Sequence, residues 1–183
     1  MDKTVLLING SPRKNGETVG CLKLVENVLN EHGISTKWIH LGNKPVKGCI
    51  QCNKCAETSR CIFDDDLCNE IIDAITDADA AVIGTPVYFA APNGALCAVL
   101  DRVFYAASDH GKLFVDKPVA ALATCWRAGA TAALDRLYKY FTYAQMQIIT
   151  SSKYWNIKLE GDDAFGEETI KQLAECIAER VMR

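Results

Sequence analysis

The sequence predicts a single doubly wound α/β domain over residues 1–183, with a five-stranded parallel sheet of order 2-1-3-4-5 and helices on both faces. Two observations carry this. Short unbroken apolar runs at 5–8 (VLLI), 80–84 (AAVIG) and 119–124 (VAALAT) read as strands buried on both faces of a parallel sheet. Each is followed by a turn and then by apolar residues at helical spacing, the alternation of βα units joined by right-handed crossovers. Length agrees, since 183 residues with a 49% hydrophobic share suffice for one full core.

In chain order, Val5 to Ile8 form the first strand, ended by Asn9-Gly10. Val19, Leu22, Leu24, Val25, Val28 and Leu29 then recur at helical spacing, with Gly33 as the stop. Ile34 to Leu41 alternates loosely and reads as a second strand near the sheet edge, with His40 in a structural role. Residues 42–66 lack periodicity, and a connection that long in a compact domain is usually functional. Leu67 to Ala78 is helical, and Ala80 to Gly84 is a third strand ending at Thr85-Pro86. A helix from Gly94 to about Ala107, a strand from Val119 to Thr124 and a helix from Ala130 to Tyr143 follow. Gln147 to Ser151 is the fifth strand, and Glu167 to Val181 the closing helix.

The net charge of −3 argues against a nucleic-acid binder, which needs a basic excess or stripe. No apolar run approaches the roughly 20 residues of a membrane span, and the N-terminus lacks a signal-peptide pattern, so a cytoplasmic chain is expected. Nine cysteines cannot all pair internally, which points away from a disulfide framework and towards metal or redox chemistry.

Ligands of doubly wound sheets bind beyond the carboxyl ends of the strands, at the switch point, where three loops meet here. The first, 10–18 (GSPRKNGET), offers the Ser11 and Thr18 hydroxyls, the Arg13 and Lys14 charges, and the unpaired N–H groups of a helix start near Asn15, Gly16 and Glu17. Phosphate suits such a cradle, although it is neither a Walker loop nor GxGxxG. The second, PVYFAAPNG, runs from Pro86, Val87, Tyr88 and Phe89 to Gly94 and suits a planar ring. The third, TCWRAGA, begins at Thr124 and supplies Arg127 and Gly129. Together they suggest a flat phosphorylated cofactor, and FMN has that shape.

GSPRKNGET, TPVYFAAPNGALCAVLDR and YWN at Tyr154 to Asn156 resemble the flavodoxin-like NADPH-dependent FMN reductase family. The resemblance implies FMN, with its phosphate on the Ser11 to Thr18 loop and its ring near Pro86 to Phe89. It also implies a homodimer or homotetramer in which a neighbour closes the pocket. Phe104-Tyr105 and Tyr138 to Tyr143 could supply that interface. Where this chain has Glu17 the family more often has asparagine, and a carboxylate beside phosphate is repulsive unless it turns outward.

Within 42–66, Cys49, Cys52, Cys55 and Cys61 follow the spacing C-x2-C-x2-C-x5-C. Soft thiolates so close in sequence can wrap one cluster, and successive x2 gaps match iron–sulfur runs better than paired zinc knuckles. The spacing also resembles the iron–sulfur flavoprotein branch of the family, which implies a [4Fe–4S] cluster near FMN. The alternative is that these thiols only pack and shape the pocket. Cys21, Cys68, Cys97, Cys125 and Cys176 read as small core residues.

The function expected is an FMN-dependent oxidoreductase exchanging electrons with small-molecule or protein donors and acceptors, NAD(P)H among them. No catalytic side chain is assigned, because the flavin carries the chemistry. A cluster-free NAD(P)H-dependent reductase of flavin, quinones or nitro compounds is the alternative enzyme. A non-enzymatic carrier or a flavin- or zinc-binding module is the alternative of another class.

Overall fold

A computed structural model describes residues 3–183. Strand β1 (Thr4–Asn9) lies between β2 (Ser35–His40) and β3 (Ala80–Tyr88), followed outward by β5 (Pro118–Cys125) and β6 (Gln147–Ile148), all parallel. With two short additions set aside, this is the expected order. The additions are β4 (Ala91–Pro92), antiparallel to β3, and β7 (Ile157–Leu159), parallel to β5.

Alternate residues of each central strand serve opposite layers, which is why the runs are unbroken. Val5 and Leu7 pack beneath α1 (Glu17–Glu31) and α5 (Ala164–Met182), against Leu22, Val25, Leu173 and Ile177. Leu6 and Ile8 face α2 (Cys68–Asp77), α3 (Gly94–Phe104) and α4 (Ala130–Tyr143), against Ile71, Leu96, Leu100 and Leu134.

Three elements depart from expectation. The fifth strand is not continuous over Gln147 to Ser151: β6 pairs only with the start of β5, and the chain swings out before returning as β7 beside the end of β5. Asn156 makes that excursion possible. Its buried amide donates to the Ala121 carbonyl at 2.9 Å in the gap between the two pairings, and its Oδ1 accepts from the Ser151 N–H at 2.9 Å. Strand β3 does not stop at Thr85-Pro86 but runs on to Tyr88 and turns back as β4. The third helix ends as an α-helix at Phe104 and widens into a π-helix over Tyr105–His110, a form frequent near functional sites.

The proposed aromatic interface segments lie largely in the core. Phe104 stacks on Tyr140 with ring centroids 5.1 Å apart and meets Phe114 edge-on at 5.5 Å, with Phe141 buried alongside. Tyr143 alone of these is strongly exposed. Helix α5 begins earlier than the periodicity suggests because Asp163 caps it, accepting from the Gly166 N–H at 3.0 Å and from the Leu159 N–H at 2.8 Å. These two bonds, the Leu159 one first, hold the Asp163 carboxyl below the usual range. None of the described helices is long and apolar enough to cross a membrane.

Candidate functional site

The first loop is organised by Asn9, which reads in sequence only as the end of a strand. Its Oδ1 accepts from the Ser11 N–H at 3.1 Å, and its amide donates to the Arg13 carbonyl at 3.4 Å and contacts His40 Nδ1. His40 is therefore structural, and burial followed by the nearby Lys14 charge lowers its pKa. Gly10 is required by space. A Cβ there would lie 2.5 Å from Leu96 Cδ2 and 2.8 Å from the Gly84 carbonyl oxygen that accepts the Gly10 N–H.

Helix α1 then starts after Gly16 with no side chain capping it, so its first N–H groups face outward at the positive end of the helix dipole. Thr18 and Thr124, from the first and third loops, share a buried hydrogen bond of 2.7 Å, and Gly84 beneath leaves room for the Thr18 methyl. The Glu17 carboxylate meets Lys158 Nζ at 3.1 Å. Lys158 is nearly buried, which works against its charge, but Glu17 more than offsets this and its pKa lies above the ordinary value. The Glu17 carboxylate is thus paired by a lysine that no sequence motif announces.

Ser11, Arg13, Gly16, Glu17 and Thr18 share one open cleft of about 230 Å³ with Pro86, Val87, Tyr88 and Thr124. Trp126, three-quarters exposed, and Glu160 complete its lining. Both were missed: Trp126 lies inside the third loop motif, whereas nothing in the sequence marks Glu160. Other expected residues fall beside the cleft. Asn15 lines an adjoining hollow with Glu160 and Gly161, and Arg127 and Gly129 line another with Cys125, Tyr154 and Phe165. Gly94 opens α3, with no atom near enough to crowd a side chain.

Phe89 is fully exposed at the tip of the β3–β4 hairpin. It and Ala90 both have positive φ, 51° and 59°, as a two-residue hairpin turn requires, although asparagine and glycine fit such positions far better. Strain of this kind persists only where the surroundings impose it. Here Gly129 does so, for its own φ is 86° and a Cβ on it would lie 2.8 Å from the Ala90 Cα. The hairpin and the third loop are locked together.

A second, narrow hollow of about 20 Å³ is lined by all four cysteines of the spaced run, with Ile50, Asn53, Ile62, Phe63, Arg102, Tyr105 and Ala106. Cys49 and Cys52 are exposed, Cys61 is half-buried and Cys55 is buried, which pushes its thiol pKa up. The backbone is contorted to bring them together, with Gln51, Asn53 and Ser59 all at positive φ and a short 3-10 turn over Lys54–Ala56. Tyr105, from the π-helix, donates to Asn53 Oδ1 at 2.7 Å. Cys61 is held through its backbone by the Asn69 amide, with both bonds at 2.9 Å. Among the described residues no three His, Cys, Asp or Glu side chains are gathered as for one metal ion.

The two hollows share no residue. Leu96 stands at the level of Gly10 and Gly84, whereas the cysteine hollow meets α3 from Arg102 onward, a descent of roughly 9 Å or more at 1.5 Å per residue. Topology puts the root of the loop at the cleft end of the sheet, and packing against α3 carries its cysteines down the side. Cys21 and Cys68 are inert core thiols, pushed by burial up to about 12, and Cys125 is buried too. Cys97 and Cys176 are only partly buried.

Residues 4–158 match the family model described as NADPH-dependent FMN reductase. The chain belongs to that family. An iron-sulfur flavoprotein of Methanocaldococcus jannaschii is 28% identical over 193 aligned residues, covering 97% of this chain and 96% of that protein. An iron-sulfur flavoprotein of Clostridioides difficile is 25% identical over 183 residues, covering 98% and 76%. Among solved structures, a WrbA-like flavodoxin from Agrobacterium tumefaciens superposes with a TM-score of 0.69 at 14% identity, covering 100% of this chain and 98% of that one. An NADH:FMN oxidoreductase in its apo form gives 0.68 at 20% identity, covering 98% and 89%. These structures establish the flavodoxin-like fold, and family membership makes this FMN reductase relative an oxidoreductase.

Proposed function

We propose that this family member is an electron-transfer oxidoreductase that holds FMN in the cleft and a [4Fe–4S] cluster on Cys49, Cys52, Cys55 and Cys61, with NAD(P)H among its electron donors. The observation that carries this reading is that all four cysteines line one hollow while a separate cleft joins an uncapped helix start to an aromatic hairpin. Four soft thiols lining one hollow, in a run with successive x2 gaps, suit the corners of a cubane better than paired zinc knuckles. When bound, FMN accepts electrons in pairs or singly and the cluster passes them singly.

The chain's own residues bind and orient. The first turn of α1, Ser11 and Arg13 receive the phosphate, and Lys158 keeps Glu17 from opposing it. Pro86, Val87, Tyr88 and Trp126 flank the ring. The exposed aromatics Phe89, Trp126, Tyr154 and Trp155 near the loops, rather than the Phe104 and Phe141 segments, are the apolar surface that a second copy would cover in a homodimer or homotetramer.

The test is anaerobic reconstitution followed by cofactor release. Flavin analysis is expected to return FMN, and iron and acid-labile sulfide to approach about four each per chain. Release of FAD, or iron and sulfide far below that level, would overturn the corresponding half of the reading.

Lys158→Met supplies a separate prediction. It leaves the Glu17 carboxylate unpaired beside the phosphate site, and FMN binding is expected to weaken about tenfold, or ~1.4 kcal/mol, in a fluorescence titration. Adding Glu17→Gln is expected to restore most of the affinity. Failure of that rescue would show that Lys158 acts instead through the Leu159 and Gly161 carbonyls, to which it also donates at 3.0 and 2.8 Å.

A further inference from the structure

Arg102 is 2% exposed, deep in the last turns of α3, and all five of its N–H donors are engaged. One Nη group bonds Asp66 and the Lys47 carbonyl, the latter at 3.2 Å. The other bonds Asp66 Oδ1 and the Phe63 carbonyl, each at 3.1 Å, and the Phe63 ring lies 5.3 Å from the guanidinium carbon. These four bonds tie Lys47, which precedes the cysteine run, to Phe63 and Asp66, which follow it. The fifth donor, Nε–H, points at Cys61 Sγ from 3.2 Å. Among the described residues it is the one charged side-chain donor to any of the four sulfurs, the Cys68 thiol being the other side chain that hydrogen-bonds Cys61.

A loop staple needs the first four bonds and not the fifth. A neutral thiol is a weak acceptor, whereas a sulfur bound to iron carries negative charge and makes a charge-assisted bond. Resting on the cluster reading above, we propose that Arg102 is a positioning residue for the cluster: it closes the cysteine run before iron arrives and then donates to the Cys61 sulfur, holding the cluster's reduction potential up. Hydrogen bonds to cluster sulfurs are one of the means by which proteins set that potential. The exposed sulfurs of Cys49 and Cys52 lack such a side-chain donor, so the effect enters through one corner.

The test compares Arg102→Lys, which keeps the charge but loses the planar fork, with Asp66→Asn, which keeps the Nε–H donor. In reconstituted protein the cluster midpoint of R102K is expected to fall, and that of D66N to hold or rise. An unchanged R102K midpoint, or equal falls in both variants, would overturn the tuning role. In protein stripped of iron, amide hydrogen exchange over residues 47–66 is expected to be about tenfold faster in R102K, with β1 and β3 unchanged. Equal exchange would overturn the closing role.

Should R102K fail to fold, wild-type protein labelled with 15N-arginine decides the matter. The reduced cluster is expected to show hyperfine coupling to one arginine nitrogen, and its absence would exclude the sulfur contact. Wild type that takes up no iron removes the cluster reading and the tuning role with it, while the exchange experiment still judges the closing role.

Discussion

Replacing any one of Cys49, Cys52, Cys55 or Cys61 by serine is expected to abolish or cripple cluster incorporation while FMN stays bound. A hydroxyl is a harder and far less acidic ligand than a thiol, and a cluster held by four corners from one short segment has no spare cysteine within its hollow. FMN survives because the cleft shares no lining residue with the cysteine hollow. Cys55→Ser carries a second cost, because Cys55 is buried among apolar neighbours and an unpaired hydroxyl there destabilises by about 1–3 kcal/mol. Cys176→Ser, on α5, is the control and should change neither cofactor. Iron, acid-labile sulfide and flavin measured on the same anaerobically reconstituted samples check this. Variants that retain full iron, or that lose flavin in step with iron, would break the separation of the two sites.

Gly129→Val is expected to be the most damaging single change in the loops around the cleft. Its backbone φ of 86° disfavours any β-branched side chain, and its Cβ would lie 2.8 Å from the Ala90 Cα, so two backbones would have to part. Strain and overpacking together come to roughly 3 kcal/mol. For a chain of this size that lowers the melting temperature by roughly 6–12 °C. Moving Ala90 also frees the strained Phe89 turn beside the cleft, so FMN affinity should fall at least about tenfold if the hairpin orients the ring. Gly94→Ala tests the reasoning from the other side. No atom lies within 4 Å of a Cβ there, and calorimetry should show little change.

Much of the architecture was legible because it depends on local pattern. A central parallel strand is buried on both faces and must be apolar throughout, so β1, β3 and β5 announce themselves, and the helices between them follow from spacing alone. Helix α4 matches its expected bounds for that reason. The edge was harder to read. A strand with one neighbour can break and resume, and whether β6 continues depends on Asn156 reaching the Ala121 carbonyl. Much of the cleft was legible too, since loops after parallel strands converge wherever the order reverses. Phe89 and Gly94 are not among the residues that line the cleft, because a motif gives the order of residues and not the direction in which each side chain points.

The sequence by itself determined the sheet order, the make-up of the first loop and the cysteine spacing, since each is a property of residues adjacent in the chain. Only the tertiary structure decided which distant groups complete them. Thr18 pairs with Thr124 across 106 positions, Glu17 with Lys158 across 141, and Cys61 with Arg102 across 41. The tertiary structure also carried the cysteines down the flank of α3, away from the cleft. The physical reason is the same in each case. A buried polar or charged group must find a partner wherever packing puts one, and packing is settled by how whole layers fit together, which no local spacing records.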